Sequence, residues 1–404
     1  MKILFLATYF PTPTNPTRGN WALEQALAFK NAGHNVVVIV PTPFLPRLLG
    51  LLGPRARRQT DIPSRWEVDG LKIFYPRWPY YAWHGTIQKL NRLWLCPLID
   101  ISGRFIIRFF AQKIESFKPD IVYAHHTLVC GQLAWAIKKR YGIPYIVTDH
   151  ETSDFTEGAR RTSTRTALKR VGREAVSLIV VSEAMKRQAE LVVPDIHIKV
   201  IYNGSSFPPV SYEQCEEAPK AILTIFCCCK LYTRKDVPLL LDAFDRIASE
   251  FPHVRLKIAG DGQDRPLIEA RIQQSISREQ ISMLGSISPE QVYAEMLSAD
   301  IFALVGWAEP FGVVFLEAMA CGLPIVVSKD AGVSEVLTDG ESAIFTLPRN
   351  AESVADALRQ LVGNAGLRRK LQTSALRLYR EKFQWSSVIK EYEIVMRDGI
   401  ERSR

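Results

Sequence analysis

The feature that most constrains the fold of this chain is an alternation that runs through its first half and then starts again. Apolar runs of strand length recur at 2–7, 35–40, 71–75, 120–124, 144–148, 177–181 and 197–201, separated by stretches with helical periodicity. Parallel strands need long crossovers, and helices supply them, so such alternation implies α/β structure with parallel sheets covered by helices. A second series opens at 221–229 and continues at 256–259, 281–284, 300–305 and 325–328. Between the two lies Tyr202-Asn203-Gly204, followed by Ser205-Ser206-Phe207-Pro208-Pro209, a Gly- and Pro-containing crossover that reads as a hinge. Glu213, Glu216 and Glu217 extend it as a polar linker.

Composition narrows the function classes. At 404 residues, 47% hydrophobic and 23% charged, the chain has material for two cores. The opening run MKILFLATYF ends in Pro11-Thr12-Pro13 without a small-residue cleavage site, so it reads as a first buried strand and not as a signal peptide. The longest near-apolar stretch, 93–110, is broken by Asp100, Arg104 and Arg108, and no membrane span is expected. Seven cysteines lack framework spacing, and neighbours in Cys227-Cys228-Cys229 face opposite sides of a strand, so reduced thiols and no metal site are expected. The first strand is not followed by Gly-x-Gly-x-x-Gly, which weighs against a dinucleotide oxidoreductase. Residues 1–205 carry 28 Lys and Arg against 15 Asp and Glu, a net +13, while the remainder carries −4. The basic half should face something anionic.

One stretch of the second series carries the chemistry. Ala308-Glu309-Pro310-Phe311-Gly312-Val313 leads into an apolar helical run that Gly322 and Pro324 end. A helix N-terminus offers unpaired N–H groups and the positive end of a dipole, so the amides of Phe311, Gly312 and Val313 form a seat for a diphosphate. Glu309 precedes that seat, and Glu317 follows it by about two turns, roughly 9 Å along a helix axis. Such a pair measures out an elongated ligand, with sugar hydroxyls on Glu309 and ribose hydroxyls on Glu317. Taken alone, the same residues also describe an ordinary amphipathic helix with one capping and one solvated glutamate.

The spacing Glu-x7-Glu, followed by Ala318-Met319-Ala320-Cys321-Gly322-Leu323-Pro324, resembles the signature of retaining GT-B glycosyltransferases, specifically glycosyltransferase family 4. The resemblance implies two Rossmann-like parallel-sheet domains facing a cleft: an acceptor-binding domain over 1–205 and a nucleotide-sugar-binding domain over 206–382. A C-terminal helix, 383–404, is then expected to cross back and pack on the N-terminal domain.

Further motifs are similar to the family's, with departures. Lys230-Leu231-Tyr232-Thr233-Arg234-Lys235-Asp236 matches Gly-Arg-Leu-x3-Lys-Gly, whose Arg and Lys clasp the donor diphosphate; here Lys230 replaces the Arg and Asp236 the second Gly. Lysine keeps the charge but loses the bidentate fork. Gly19 stands where the family has a glycine pair, and Asn20 takes the second position, as a turn residue or a helix N-cap. On the Asp-x4-His pattern from Asp120, His125 resembles the histidine that contacts the transferred sugar, with His126 a bystander. Asp149-His150 ends the next strand, and Thr152-Ser153-Asp154 is similar to a Gly-Ser-Asp stretch. Gly260-Asp261-Gly262 and Gly285 fall at strand ends that, by resemblance, lie near the nucleotide.

The resulting expectation is a retaining, metal-independent hexosyltransferase without a cofactor, in which a nucleoside-diphosphate sugar is a co-substrate. His125, Lys230, Lys235 and Glu309 are expected to be catalytic. Gly19, His150, Gly260, Gly285, Phe311, Gly312, Val313 and Glu317 are expected to bind the donor. The acceptor is expected to be lipid-linked or an envelope polysaccharide, and no nucleic acid partner is expected. Localisation is expected to be cytoplasmic, with peripheral attachment to an anionic membrane surface on the inner face of the plasma membrane. That attachment rests on the Arg47 to Arg58 insertion and on the aromatic and basic run from Trp78 to Phe110. A sugar-nucleotide epimerase and a non-catalytic glycan-binding protein are the alternatives.

Overall fold

The computed structural model describes residues 1–15, 18–44, 60–78, 110–213 and 221–403, with positions 46, 53, 57, 103, 107 and 108. Most of the Arg47 to Arg58 insertion and most of the run from Trp78 to Phe110 lie outside the described residues. The chain forms two compact units, Met1–Tyr202 with Val388–Arg404, and Asn203–Ser387.

The first unit is built on β1 (Lys2–Ala7), β2 (Asn35–Ile39), β3 (Thr42–Pro43), β4 (Arg65–Val68), β5 (Leu71–Phe74), β6 (Arg77–Trp78), β7 (Ile121–His125), β8 (Tyr145–Asp149), β9 (Leu178–Val180) and β10 (Ile198–Val200). Eight of these form one sheet in the order β10-β9-β8-β7-β1-β2-β5-β4, while β3 and β6 pair separately. Every neighbouring pair in the large sheet is parallel except β4 and β5, a hairpin turning at Asp69-Gly70. The central strands β7 and β8 are buried along their whole length, as parallel strands covered on both faces must be. The edge strand β4 was not legible as an apolar run, because Arg65-Trp66-Glu67-Val68 is half-exposed and alternates charged with apolar residues.

The second unit contains β11 (Leu223–Cys228), β12 (Val254–Ala259), β13 (Ile281–Gly285), β14 (Ile301–Leu304), β15 (Ile325–Ser328) and β16 (Ile344–Thr346). They form one parallel sheet in the order β13-β12-β11-β14-β15-β16. In each unit the strand order reverses beside the first strand, between β1 and β7 and between β11 and β14. The crevice outside the carboxyl ends of such strands is where open α/β sheets hold ligands.

The boundaries differ by a few residues from the divisions expected at 205/206 and 382/383, and local bonds give the reason. Tyr379 donates its hydroxyl to the carbonyls of Ser205 (3.1 Å) and Phe207 (2.7 Å), and the Ser205 amide donates to the Phe383 carbonyl (3.0 Å). These ties hold 203–207 and 379–387 in the second unit. The last helix, Trp385–Arg402, then gives its residues from Val388 onward to the first unit. There Glu393 meets His34 Nε2 at 2.8 Å and Tyr392 packs edge-on against Phe29. Gly399 lies so close to Val176 that an added Cβ would stand 2.4 Å from its Cγ2.

Candidate active site

In the second unit the predicted residues converge on the exits of β11 and β14. Two glycines let the β11 and β12 exits touch backbone to backbone. A Cβ at Gly260 would lie 1.8 Å from the Cys229 carbonyl oxygen, and one at Gly262 would lie 2.3 Å from that of Leu231. The structure therefore uses Gly260 to seat the loop that carries Lys230, which is exposed. Gly285, at φ 68°, ends β13, and its carbonyl accepts from the Gly260 amide at 2.7 Å.

Lys235 closes the short turn Thr233–Lys235, and Asp236 adopts a left-handed φ of 48° in the place of the family's glycine. The exit of β14 presses on this turn: a Cβ at Gly306 would stand 2.7 Å from the Arg234 carbonyl oxygen, to which the Trp307 amide donates at 3.0 Å. That contact brings Lys235 Nζ to 2.6 Å from Glu309 Oε2, with the two side chains only 14% and 11% exposed. The Glu309 backbone is held from the other side, where the Gly332 amide donates to its carbonyl at 2.8 Å.

The helix Val313–Ala320 begins at Gly312, whose φ is 86°, and has no side-chain N-cap. The Phe315 amide donates to the Gly312 carbonyl at 3.0 Å, and no side chain caps the amides before it, at the end of the helix where anions are favoured. Phe311 is buried while Gly312, Val313 and Glu317 are partly exposed. Burial and then the Glu317 carboxylate push the Cys228 thiol up, and the same pair of causes pushes Cys321 up to about 12. Glu317 thus lies beside the end of β11, in surroundings unlike those of Glu309.

In the first unit the exits of β1, β7 and β8 gather three histidines, the buried carboxylate of Asp149 and the partly exposed one of Asp154. Gly19, at φ 68°, precedes the helix Asn20–Asn31, and a Cβ there would lie 2.6 Å from the Tyr9 backbone. Asn20 is helical, and its side-chain amide donates to Glu24 at 2.9 Å. His125 is fully buried. Its ring stacks on His150 with centroids 4.1 Å apart, and among the described residues neither ring nitrogen has a hydrogen-bond partner. Burial, and then the neighbouring His150 and His126, press its pKa well below the ordinary histidine value.

His126, read from the sequence as the bystander, is the ring joined to a carboxylate. Its Nδ1 lies 3.2 Å from Asp149 Oδ1. Asp149 also accepts from the Thr127 amide at 3.2 Å and from its hydroxyl at 2.7 Å. Burial opposes the charge of both partners. The bond between them outweighs it, raising the His126 pKa and, with the Thr127 donors, lowering that of Asp149. Asp154 accepts from the Leu128 amide at 2.9 Å, but burial and then the Asp149 charge push its carboxyl up to about 7. Sequence reasoning missed this arrangement because it depends on pairs 22 to 26 residues apart; the local signal was one aspartate ending a strand and another five residues on.

Comparison with known proteins agrees with both halves. Residues 212–377 match the family model described as glycosyl transferases group 1, and residues 19–204 match the glycosyl transferase 4-like domain. The chain is 28% identical over 401 residues to glycogen synthase of Mycobacterium tuberculosis, covering 96% of this chain and 92% of that protein. Among solved structures it is similar to sucrose-phosphate synthase from Thermosynechococcus elongatus, with TM-score 0.74, 17% identity, and 98% and 99% of the two chains covered. It is also similar to HepE of Anabaena in complex with UDP-glucose, with TM-score 0.68, 17% identity, and 98% and 100% covered.

Proposed function

Because the chain belongs to the GT-B glycosyltransferases of family 4, we propose that it takes a nucleoside-diphosphate sugar as donor and transfers the sugar with retention at the anomeric carbon, without a metal ion. The observation that carries this reading is the Lys235–Glu309 pair beside the uncapped start of the helix Val313–Ala320, with Lys230 exposed at the exit of β11. It joins two cations, a helix N-terminus and a carboxylate, the groups that a diphosphate and a sugar hydroxyl require. The HepE complex with UDP-glucose supports a donor of this class.

In this reading Lys230, Lys235 and the amides of Phe311, Gly312 and Val313 stabilise the charge that grows on the leaving diphosphate. That diphosphate takes the proton of the acceptor hydroxyl on the face it leaves, while the sugar passes through an oxocarbenium-like state. Glu309 orients sugar hydroxyls and Glu317 the ribose. Two lysines and a helix end provide the countercharge that a divalent ion provides elsewhere. The acceptor is lipid-linked or an envelope polysaccharide, a reading that the +13 charge of residues 1–205 supports.

A thermal-shift panel of UDP-, GDP- and ADP-sugars, followed by transfer in excess EDTA, tests the proposal. A ligand at 100 times its dissociation constant adds about 2.7 kcal/mol, so one base should stand out. No stabilisation by any of the three classes ends the donor reading, and loss of transfer in EDTA that Mg²⁺ or Mn²⁺ restores ends metal independence.

A further inference from the structure

The loop that leaves β14 is pinned at three successive residues. The Trp307 amide donates to the Arg234 carbonyl at 3.0 Å, the Ala308 amide to Asp330 Oδ2 at 3.2 Å, and the Glu309 carbonyl accepts from the Gly332 amide at 2.8 Å. Only the middle tie is made by a side chain. It falls where the backbone is least at ease, because Ala308 has a left-handed φ of 49°. That φ crowds a β-carbon against carbonyl oxygen, and glycine takes it routinely while alanine holds it only where its surroundings impose it. The methyl group of Ala308 forms no hydrogen bond, so the imposing group must lie elsewhere.

Asp330 has the means to be that group. It is exposed, two residues beyond the end of β15. An exposed carboxylate ordinarily keeps its rotamer freedom. Here the hydroxyl of Ser328, a fully buried residue, donates to Oδ1 at 2.5 Å and leaves Oδ2 facing the Ala308 amide. The main chain around Asp330 is fixed as well. The Lys329 amide donates to the Thr346 carbonyl at 3.0 Å and the Ala331 amide to the Ser328 carbonyl at 3.1 Å, and a Cβ added at Gly332 would lie 2.0 Å from the Pro310 carbonyl oxygen. The exit of β15 is thus a firm mould for the exit of β14.

The direction of the next side chain depends on that mould. With Ala308 left-handed, the Trp307 amide reaches the turn that carries Lys235 while Glu309 Oε2 comes to 2.6 Å from Lys235 Nζ. The right-handed and extended regions open to an unrestrained alanine would turn the chain, and the Glu309 side chain with it, another way. We propose that Asp330 is a positioning residue for Glu309: by holding Ala308 in the left-handed conformation it keeps the Glu309 carboxylate beside Lys235, in the donor site. The role of Glu309 comes from the glycosyltransferase reading, and its placement by Asp330 from the geometry of this loop.

Kinetics and a crystal structure of Asp330→Ala in the full chain test it, with release of nucleoside diphosphate from UDP-, GDP- or ADP-glucose as the assay. The kcat should fall about tenfold, as a misplaced group requires. The KM should change less than about twofold, because the lysines and amides assigned to the diphosphate are untouched. Asp330→Asn keeps an oxygen for the Ala308 amide and should restore the kcat, and Ala308→Gly added to Asp330→Ala should restore part of it, since glycine needs no restraint there. In the Asp330→Ala crystal Ala308 should leave positive φ and the Lys235 Nζ to Glu309 Oε2 distance should exceed about 4 Å, the reach of an ion pair. Should Asp330→Ala fail to fold, Ser328→Ala, which frees the carboxylate without removing it, decides by the same readings. Unchanged turnover, a change confined to KM, a loss that neither Asn nor the added glycine reverses, or a left-handed Ala308 with the ion pair intact overturns the proposal and leaves the glycosyltransferase reading standing. A wild-type chain that releases no nucleoside diphosphate, while the pair opens in Asp330→Ala, ends that reading and leaves the placement of Glu309 by Asp330 standing.

Discussion

The exits of the two sheets are built from different kinds of charge. At β11 and β14 the candidate groups are lysines, glutamates and a helix end, with the Lys235 and Glu309 side chains paired and shielded. At β7 and β8 the candidate groups are histidines, the buried carboxylate of Asp149 and the partly exposed one of Asp154, whose charges depend on one another, with the Asp154 carboxyl pushed up to about 7. The same kind of strand crest thus carries a salt-like site in one unit and a proton-dependent one in the other. The difference lies in residue type and pairing: Lys235 and Glu309, 14% and 11% exposed, form a lysine–carboxylate ion pair, whereas His126, 12% exposed, is a histidine whose proton Asp149 helps to hold.

The largest effect should come from breaking the fixed-charge site. Lys235→Ala removes a cation from the diphosphate and leaves Glu309 unpaired in a shielded place, so transfer should fall by about 10² to 10³. Lys230→Arg keeps charge and restores the fork, and should cost far less. Steady-state kinetics compare the two, and equal losses would break the assignment. The same assay sharpens the roles of the acids: Glu309→Gln should chiefly lower turnover and Glu317→Gln chiefly weaken nucleotide binding, so equal and mild effects would sink the two-ended reading of the donor.

A smaller effect should mark the proton-dependent site. The Asp154 carboxyl, raised from the ordinary carboxylate range to about 7, binds a proton in the folded chain that the unfolded chain has already lost. Its contribution therefore lowers stability as pH rises from about 4 through 7. Asn cannot ionise and still accepts from the Leu128 amide, so Asp154→Asn should gain on the order of 1–4 kcal/mol over wild type on going from pH 5 to pH 8. His126 adds to the wild-type decline, since its raised pKa contributes stability at low pH that is lost as pH climbs through it. Asp149 acts oppositely, contributing above the unfolded carboxylate value and losing that contribution on acidification. Urea titrations at both pH values decide, and an unchanged difference between variant and wild type would place Asp154 outside the titrating cluster.

The smallest effect per residue concerns the charge of the first half as a whole. Each basic residue near an anionic leaflet contributes about 1 kcal/mol, screened over roughly 10 Å at 0.1 M salt. Co-sedimentation with anionic vesicles should therefore exceed that with neutral ones at low salt and fade at high salt. Equal sedimentation with both at low salt would leave the basic half without a membrane role. Among the described residues no helix is long and apolar enough to cross a membrane.

Local chemistry made much of this protein legible from its residues. The parallel strands follow from apolar runs at the spacing of helical crossovers, and the helix Val313–Ala320 stops just before Gly322 and Pro324, the residues read as ending it. Lys235 and Glu309 could both be singled out as candidates, because strand exits carrying Gly, Lys and Glu are short-range patterns. What residues 74 apart do to one another was not: only the pressing of Gly306 on the Arg234 carbonyl joins those two side chains. The different surroundings of His125 and His126 were likewise beyond the sequence, since adjacent identical residues differ only in burial and in the partner, Asp149, that the sheet brings from 23 positions away. Periodicity and turn preference are properties of a few consecutive residues. Burial, pairing and protonation belong to groups that become neighbours only when the strands align, and so the tertiary structure alone decided them.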